Sequence, residues 1–555
     1  MNILAFSIAH DSSVCFLKNG KIDFFCKEER ISKIKRDKNP FKSLEIFKEQ
    51  NTTEIDEILF HTPSNYEVDL FNFYSLYVKK IFDKNLINYS ILNHHLLHAN
   101  HSFFNSKFKK SLVFVIDRNG SIFFVNNRKV AREAESVYLA EGNNIQPVYK
   151  SFFIENTVSA TEFPMIEQLL KQQWPETEIN ILGYYNTVKV YESATTLINQ
   201  NALENGKTMG LSAYGTQKSF PKLFDTYWKP NEKYFNQINF EKNGNLDTTI
   251  FAGFEDKIAN VSKNNFHLYA DKAAHVQFET QRNISSMIDY FIKKYKVDNV
   301  CFSGGYALNV LANHHYLQKF PLINFYFEPI ADDSGISIGA TYDFFTKNKK
   351  DNLQISPPVN NFFHFSKKMR TEKKQTGSKT IEKYLAKQLN DGKSVALFAG
   401  QSEAGPRALG NRSILFDPRS ISAKEIVNKI KQREWYRPFA GAILEKHFKD
   451  YFKSHGIHKS EDMTISFECK EEKVQEIPGV IHIDNTCRVQ TVNWGVLYNI
   501  LQEFYNLTGC PVLLNTSFNL AGEPLVNSVD DAVKTFNESN LDIVYFADDT
   551  KIIEK

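Results

Sequence analysis

The N-terminal residues alternate short apolar runs with polar turns. Residues 2–8 are mainly apolar, residues 10–13 are polar, and residues 14–17 are apolar again. The Asn19-Gly20 pair that follows is a strong signal for a β-hairpin, and residues 22–26 continue as a further strand. This order of strands and turns is typical of the start of actin-like ATPase folds. The turn after the first strand predicts backbone N–H groups that could hold a phosphate.

Two further apolar runs end in polar or glycine residues. Residues 112–116 lead into Asp117, and residues 299–302 lead into Ser303-Gly304-Gly305. Because α/β folds build their sites just after strands, both ends are candidate sites. Two such units predict a duplicated α/β fold, although no direct sequence repeat connects them.

The pattern changes after residue 350. Pro357-Pro358 precede an aromatic patch and a run of basic residues, which is typical of an interdomain connection. A helix is predicted from near Thr380 to Asp391-Gly392, and a strand over 395–398 opens a second α/β domain. Since 555 residues are too many for one ordinary core, we predict a domain over 1–350, a linker over 351–380 and a domain over 381–555.

Composition and charge do not favour several classes of protein, although a local basic patch would be enough for a nucleic-acid partner. The net charge of +3, from 67 basic and 64 acidic residues, does not indicate a nucleic-acid or membrane partner. No segment approaches the roughly 20 apolar residues of a membrane helix, and the N-terminal run lacks a basic leader. The six cysteines form no Cys-x-x-Cys pair. We therefore expect reduced cysteines in a cytoplasmic protein.

A histidine motif is the first candidate for chemistry. His94 and His98 are four residues apart, so on a helix they would share one face, as two ligands of one metal do. Asp117 and Asp333 follow predicted strands and could complete a site for iron, manganese, zinc or magnesium. The alternative is a histidine-rich surface helix with carboxylates that serve as helix caps.

Two glycine-containing segments could hold a nucleotide. Residues 206–215 contain three glycines and a lysine, and we predict a loop whose backbone approaches a ligand closely. Residues 303–309 supply two more glycines and an amide. The predicted nucleotide contacts are Lys207, Gly210, Gly304, Gly305 and Asn309. The alternative for the first segment is a flexible loop.

The second domain concentrates cations and amides in three segments. Residues 400–413 carry two arginines on a glycine-rich turn, residues 431–439 carry three more cations, and residues 515–519 carry hydroxyls and amides. Arginine forks and a lysine match the oxygens of a triphosphate. Surface salt bridges are the alternative, but they hardly explain all three segments.

These motifs resemble the ATP-dependent O-carbamoyltransferases of antibiotic and nodulation-factor biosynthesis, over nearly the whole chain. The resemblance rests on His10-Asp11-Ser12, Glu28-Glu29-Arg30, 94–99, 207–215, 303–309, Asp333-Ser334-Gly335, 405–410, 433–440, 515–519 and Gly522-Glu523-Pro524. It implies an actin-like (ASKHA-type) metal-containing domain fused to an acyl-adenylate-forming domain with a twisted mixed sheet. The Lys-x-Arg and Ser-x-Asn signatures of that second domain correspond to Lys431/Arg433 and Ser517/Asn519.

The resemblance also implies a two-step reaction. Carbamate from carbamoyl phosphate would attack ATP to form carbamoyl-adenylate, and the carbamoyl group would then pass to an acceptor hydroxyl. The implied roles are charge stabilisation by Lys431, Arg433, Arg407 and Arg437, metal binding by His94, His98, Asp117 and Asp333, base catalysis by His10, and phosphate binding by Lys35. The cofactors would be ATP and a divalent metal, with iron(II) favoured by the resemblance and manganese, zinc and magnesium left open.

The chain departs from the family pattern at two positions, and the first of them could crowd or recharge the predicted metal site. Arg118 stands where the family usually has glycine, next to a predicted metal ligand, and Arg36 replaces a usual histidine. Residues 120–200 match weakly. The expected acceptor is a small molecule, with a 5-hydroxymethylpyrimidine in DNA or a nucleotide as the alternative. Threonylcarbamoylation of tRNA and a non-catalytic nucleotide-binding regulator are further alternatives. Since family members often dimerise, a homodimer is also expected.

Overall fold

The structure is a computed structural model that describes residues 1–63, 68–90, 93–155, 158, 159, 161–182, 185–198, 201–216, 222–226, 228, 229, 261–348 and 378–555. The chain forms two compact units, Met1–Asp23 with Lys38–Pro357 and Phe24–Asp37 with Pro358–Lys555. The predicted linker lies almost entirely outside the described residues, so the predicted domain bounds stay a prediction. Within the described ranges, no helix combines the length and apolar character needed to cross a bilayer.

The first sheet has five strands in the order β3-β2-β1-β4-β5. Its strands are β1 (Asn2–Ser7), β2 (Ser13–Lys18), β3 (Lys21–Lys27), β4 (Glu57–His61) and β5 (Leu86–Asn88). β1 runs antiparallel to β2 and parallel to β4, and β4 runs parallel to β5. The predicted hairpin is confirmed, because Asn19 and Gly20 both have positive φ and connect β2 to β3.

The second sheet repeats this arrangement. Its strands are β6 (Lys110–Ile116), β7 (Ile122–Val125), β8 (Arg128–Glu141), β9 (Asn144–Ile154), β10 (Glu178–Leu182), β11 (Asn299–Ser303) and β12 (Asn324–Phe327). The order β9-β8-β6-β11-β12 matches that of the first sheet, with β8 antiparallel and β11 parallel to the central β6. The predicted duplicated, actin-like α/β fold is therefore confirmed by the topology itself.

Helices surround these sheets. They are α2 (Phe41–Gln50), α3 (Val68–Phe82), α4 (His94–Ser106), α5 (Phe163–Gln173), α6 (Thr187–Leu197), α7 (Asn205–Ser212), α8 (His267–Tyr295), α9 (Val310–Lys319) and α10 (Ile336–Asn348). α4 packs against α10, where a Cβ added to Gly339 would lie 2.0 Å from the carbonyl oxygen of Leu97. Glycine at this position is therefore what allows α10 to approach the helix that carries the histidine motif.

The loop predicted over 206–215 is wrong for most of its length, because Asn205–Ser212 form helix α7. Leu211 is fully buried, α7 packs against α8, and the Thr208 hydroxyl lies 2.7 Å from the Thr195 hydroxyl. Each glycine costs a helix about 1 kcal/mol relative to alanine. Burial against α8 outweighs that cost, which local sequence does not reveal.

The second unit contains a mixed eight-stranded sheet in the order β16-β17-β15-β18-β14-β13-β19-β20. Its strands are β13 (Val395–Phe398), β14 (Arg412–Phe416), β15 (Ala440–Leu444), β16 (Ser466–Glu468), β17 (Thr486–Val492), β18 (Val512–Ser517), β19 (Ile543–Phe546) and β20 (Lys551–Glu554). β15 runs parallel to β17 and antiparallel to β18, so the predicted mixed sheet is confirmed.

Helices also accompany this sheet. They are α1 (Glu29–Ser32), α11 (Lys379–Asn390), α12 (Ala423–Ile430), α13 (Phe448–Tyr451), α14 (Gly495–Thr508) and α15 (Val529–Asn537). The helix predicted to begin near Thr380 and the strand predicted over 395–398 are confirmed as α11 and β13. Residues 24–37 belong to this unit through contacts such as Arg30 Nη2 to the Gly405 carbonyl, at 2.9 Å.

Candidate functional site

Four side chains of the first unit converge at the ends of β6 and β12 and at the start of α4. His94 and His98 share one face of α4, Asp117 follows β6, and Asp333 begins a short 3₁₀ turn after β12. One ligand atom from each lies within 4.8 Å of the other three. His94 Nε2 is 3.6 Å from Asp117 Oδ2, and His98 Nε2 is 3.6 Å from Asp333 Oδ1.

The donor set fits a divalent metal. Neither ring nitrogen of His94, nor His98 Nε2, has a hydrogen-bond partner among the described residues, although all three atoms are buried. Burial raises the pKa of Asp117, but its contact with His94 and the charges of His98 and His94 outweigh burial and lower the pKa to about 2. Buried imidazole nitrogens aimed at ionised carboxylates suit iron, manganese or zinc.

Neighbouring residues position these ligands. Ser303 Oγ lies 3.3 Å from His98 Nδ1, and a proton on Nδ1 that is donated to this hydroxyl would leave Nε2 free for a metal. The backbone N–H of Gly305 donates to Asp117 Oδ1 at 2.9 Å. Gly304 has a φ of +81°, and a Cβ there would lie 2.6 Å from the Ile116 carbonyl oxygen. Gly304 therefore allows close approach to the end of β6, and Gly305 binds the Asp117 carboxylate through its N–H. Contact of either glycine with a phosphate stays a prediction.

Other predicted nucleotide residues of this unit already have protein contacts. Lys207 pairs with Glu204 at 2.8 Å, and Gly210 lies buried in α7. The Asn309 side chain caps α9 by accepting from the N–H of Ala312, and it exchanges two amide hydrogen bonds of 3.1 Å with Gln277. Nucleotide binding by these residues remains a prediction that a bound ligand would have to test.

His10 lies at the edge of the four-residue cluster. Its Nδ1 is 2.7 Å from Asp11 Oδ2, and its Nε2 is 3.9 Å from Asp333 Oδ2. The charge of Asp333, followed by its contacts with Asp11, raises the pKa of His10 to about 9 against the opposing effect of burial. A ring with this pKa is protonated at neutral pH while the charge of Asp333 is unopposed, so base catalysis by His10 stays a prediction.

Two buried groups beside the cluster escaped the sequence analysis. The His61 ring lies 5.3 Å from that of His94, and neither of its nitrogens has a hydrogen-bond partner among the described residues. Glu133 forms a buried ion pair with Lys150. Burial raises the pKa of Glu133, but the charges of His95 and Lys150 outweigh burial and lower the pKa to about 2. Both groups lie on strands whose local pattern indicates only burial.

The two signatures of the second unit meet in one cluster. Lys431 Nζ donates to the carbonyl and side-chain oxygens of Asn519, both at 2.6 Å, and to Ser517 Oγ at 3.1 Å. Ser517 Oγ in turn donates to Asn519 Oδ1 at 2.7 Å. Burial, followed by the charges of Arg433, Arg437 and Lys35, lowers the pKa of Lys431 well below its usual range. The lysine is therefore held among oxygens in a strongly positive environment.

Several arginines surround this lysine. Arg433 donates to the Asn428 side chain at 2.7 Å and stacks 4.3 Å from the ring of Phe439. Burial, then the charges of Arg488 and Arg437, lowers the pKa of Arg407. The cations that influence one another in this way are Lys35, Arg407, Lys431, Arg433, Arg437 and Arg488. Such a concentration of positive charge suits a polyphosphate.

Arg488 is the cation of this group that sequence analysis missed. Arg488 lies on β17, outside the glycine-rich and Lys-x-Arg segments of the sequence. Only the pairing of β17 with β15 places it near Arg407. Its Nε is buried without a hydrogen-bond partner among the described residues. Burial, followed by the charge of Arg437 against that of Cys487, lowers its pKa to about 10.

Comparison with known proteins supplies matches to both units. A family model described as "Carbamoyltransferase N-terminus" matches residues 64–342, and one described as "Carbamoyltransferase C-terminus" matches residues 386–553. An uncharacterized protein of Methanocaldococcus jannaschii is 29% identical over 97% of each chain. Nodulation protein NolO of Bradyrhizobium diazoefficiens is 26% identical over 81% of this chain and 77% of its own.

Further matches cover smaller parts. Nodulation protein U of Azorhizobium caulinodans is 33% identical over 40% of each chain. Among solved structures, full-length HypF in its phosphate- and nucleotide-bound form has a TM-score of 0.38 and 10% identity over 63% of this chain and 56% of its own.

Proposed function

This chain belongs to the carbamoyltransferase family and is an enzyme of that family; from that premise we propose that it forms carbamoyl-adenylate from carbamoyl phosphate and ATP and transfers the carbamoyl group to a hydroxyl. The observation that carries the proposal is the cluster of Lys431, its oxygen partners and the surrounding arginines. A lysine and several guanidinium groups with few carboxylates nearby require an anionic ligand of high charge, and ATP is one.

The first step would take place in the second unit. Water cleaves carbamoyl phosphate to carbamate and inorganic phosphate. A carbamate oxygen then attacks the α-phosphorus of ATP, the bond to the β-phosphate oxygen breaks, and pyrophosphate leaves. Lys431 would exchange its contacts with Ser517 and Asn519 for phosphate oxygens, while Arg433 and Arg437 stabilise the negative charge that develops on the phosphates.

The second step would take place in the first unit. The acceptor oxygen attacks the carbonyl carbon of carbamoyl-adenylate, the bond to the phosphate oxygen breaks, and AMP leaves. His10 would take the proton of the hydroxyl: a divalent cation bound by Asp333 would neutralise the charge that raises the pKa of this ring, and the neutral imidazole could then act as the base. A divalent metal held by His94, His98, Asp117 and Asp333 would supply Lewis-acid stabilisation of the leaving phosphate. The family resemblance favours iron(II) for this position, and the donor set also fits manganese or zinc.

The acceptor is expected to be a small molecule, and a 5-hydroxymethylpyrimidine in DNA or a nucleotide remains the alternative with the same chemistry. Matches to both carbamoyltransferase models do not favour threonylcarbamoylation of tRNA or a non-catalytic regulator.

The test is isotope exchange between pyrophosphate and ATP in the presence of carbamoyl phosphate. We expect exchange with the wild-type chain and a loss of about 10²–10³-fold in Lys431→Ala, because one buried charge that stabilises the transition state is removed. Lys429→Ala is the matched control, since Lys429 lies two residues away, is 72% exposed and pairs with Glu425. Exchange that is absent from the wild type, or equal in Lys431→Ala, would contradict the proposal.

A further inference from the structure

Helix α6 is fixed against the strand end that carries Asp117. The Asn186 side chain donates to the carbonyl oxygens of Asp117 at 2.7 Å and Ala134 at 3.0 Å, and it accepts from the N–H of Lys189 at 2.9 Å. One side chain thus caps α6 and ties it to the residue that follows β6 and to the middle of β8. Lys189 and Glu192 are three residues apart in α6, so their side chains are neighbours on one face of the helix.

Arg118, the residue after Asp117, reaches this helix. Its Nε donates to Glu192 Oε2 at 2.8 Å. The Arg118 side chain is 44% exposed, and within the described part of the chain neither of its Nη groups makes a hydrogen bond. The guanidinium therefore uses one edge for Glu192 and keeps its paired Nη groups available to a ligand.

A second guanidinium lies nearby with the same arrangement. Arg132 Nε donates to Glu155 Oε1 at 3.3 Å, and its Nη groups likewise make no hydrogen bond to any described residue. Arg132 pairs in the β8–β9 ladder with Phe153, whose ring lies 3.6 Å from Lys189 Nζ. The group thus contains three cations, Arg118, Arg132 and Lys189, and two carboxylates.

The balance of charge in this group is positive. Burial, followed by the charges of Arg118 and Arg132, lowers the pKa of Lys189 to about 7, and the two carboxylates only partly oppose this. The hydrogen bond from Asn186 to the Asp117 carbonyl oxygen and that from Arg118 to Glu192 place the group close to the candidate metal ligand. An anion bound here would relieve the repulsion among the three cations.

We propose that Arg118, Arg132 and Lys189 bind a phosphate group of the carbamoyl acceptor beside the metal centre. The proposal rests on the proposed function only for the statement that the acceptor hydroxyl reacts near Asp117. Paired Nη groups match the geometry of phosphate oxygens, and a neutral acceptor offers no charge to these cations. The guanidinium of Arg118 thus selects acceptors by charge.

The test measures binding of inorganic phosphate to the metal-loaded full chain by calorimetry at constant ionic strength. A Lys431→Ala/Arg433→Ala background weakens phosphate binding in the second unit and leaves the first unit intact. We expect one phosphate to bind in this background and to bind about 10-fold more weakly after Arg118→Ala, since one charged fork is lost. Arg128→Ala is the matched control, because Arg128 lies on the same strand as Arg132 but pairs with Glu162.

Two results would overturn the proposal: no phosphate binding in the background chain, or binding that is equally tight after Arg118→Ala. If Arg118→Ala lowers the melting temperature so far that binding cannot be compared, Arg132→Gln gives the same test through the second guanidinium. Pyrophosphate exchange by the chain with an intact second unit reports separately on the proposed function. Pyrophosphate exchange without Arg118-dependent phosphate binding refutes this inference alone. Arg118-dependent phosphate binding without pyrophosphate exchange refutes only the proposed function.

A second series identifies the source of the phosphate. The probes are 2′-deoxycytidine 5′-monophosphate, the neutral nucleoside 2′-deoxycytidine and a single-stranded 12-residue DNA. Tighter binding of the monophosphate supports a small phosphorylated acceptor, and tighter binding of the DNA with a steep salt dependence supports a nucleic-acid acceptor. Equal binding of the nucleoside and both phosphorylated probes overturns the proposal.

Discussion

Replacement of Ser303 by alanine tests whether a single hydroxyl sets the metal affinity of the first unit. Ser303 Oγ lies 3.3 Å from His98 Nδ1, and both residues are fully buried. Water cannot replace the lost hydroxyl without a cavity, so the His98 ring in Ser303→Ala would be free to hold its proton on Nε2 or to rotate. Either change removes Nε2 as a ligand for part of the time.

Loss of a residue that orients a metal ligand costs 10–100-fold in metal affinity. A contact of 3.3 Å is long for a hydrogen bond, which places the expected effect at the lower end. We therefore expect Ser303→Ala to bind manganese or zinc about 10-fold more weakly, or about 1.4 kcal/mol, with little change in melting temperature of the metal-free chain.

The assay is competition of the full chain with a chelator of known affinity. Ser102→Ala is the matched control, because Ser102 is an equally buried serine whose hydroxyl donates to the Phe302 carbonyl oxygen, also at 3.3 Å. This control removes a hydroxyl of the same kind from α4 itself without touching an imidazole. Equal metal affinity in wild type and Ser303→Ala, or equal losses in both variants, would refute the reasoning.

The remaining predictions concern packing, charge and the second unit. Gly339→Ala should lower the free energy of unfolding in urea by about 2 kcal/mol, because its Cβ would lie 2.0 Å from a carbonyl oxygen. Gly206→Ala, whose Cβ would have no atom within 4 Å, should raise it by up to about 1 kcal/mol. Equal effects of the two substitutions would contradict this account. Lys150→Met should lower the free energy of unfolding by about 3–5 kcal/mol, because it leaves Glu133 buried and unpaired. The double variant Lys150→Met/Glu133→Gln should recover much of this loss in the same urea titration. Folding lowers the pKa of Glu133 from 4.5 to about 2, so ionised Glu133 stabilises the fold fully above its unfolded pKa, and this contribution is lost as pH falls from about 5 to 2. The free energy of unfolding in urea should therefore depend less on acid pH in Glu133→Gln than in wild type. Arg488→Ala should lower pyrophosphate exchange at least about 10-fold, mainly through a higher KM for ATP, and unchanged kinetics would exclude Arg488 from the anion site.

Local patterns in the sequence were sufficient for several elements. The Asn19-Gly20 pair predicted the hairpin, because few residues other than asparagine and glycine accept positive φ at two successive positions. The four-residue spacing of His94 and His98 placed both imidazoles on one face of a helix, whatever that helix packs against. The polar residues after β6 and β12 marked the strand ends where the carboxylates lie.

What the tertiary structure decided concerns residues that are distant along the chain. Helix α7 forms in spite of its glycines because it packs against α8 with Leu211 buried, and no local pattern records that partner. Arg488 joins the cations around Lys431 only through the pairing of β17 with β15. Arg118 lies next to a metal ligand in sequence, but only the fold brings Glu192 and Lys189 to it. Short-range periodicity specifies which face of an element is buried, whereas contacts between elements depend on the register and packing of the whole chain.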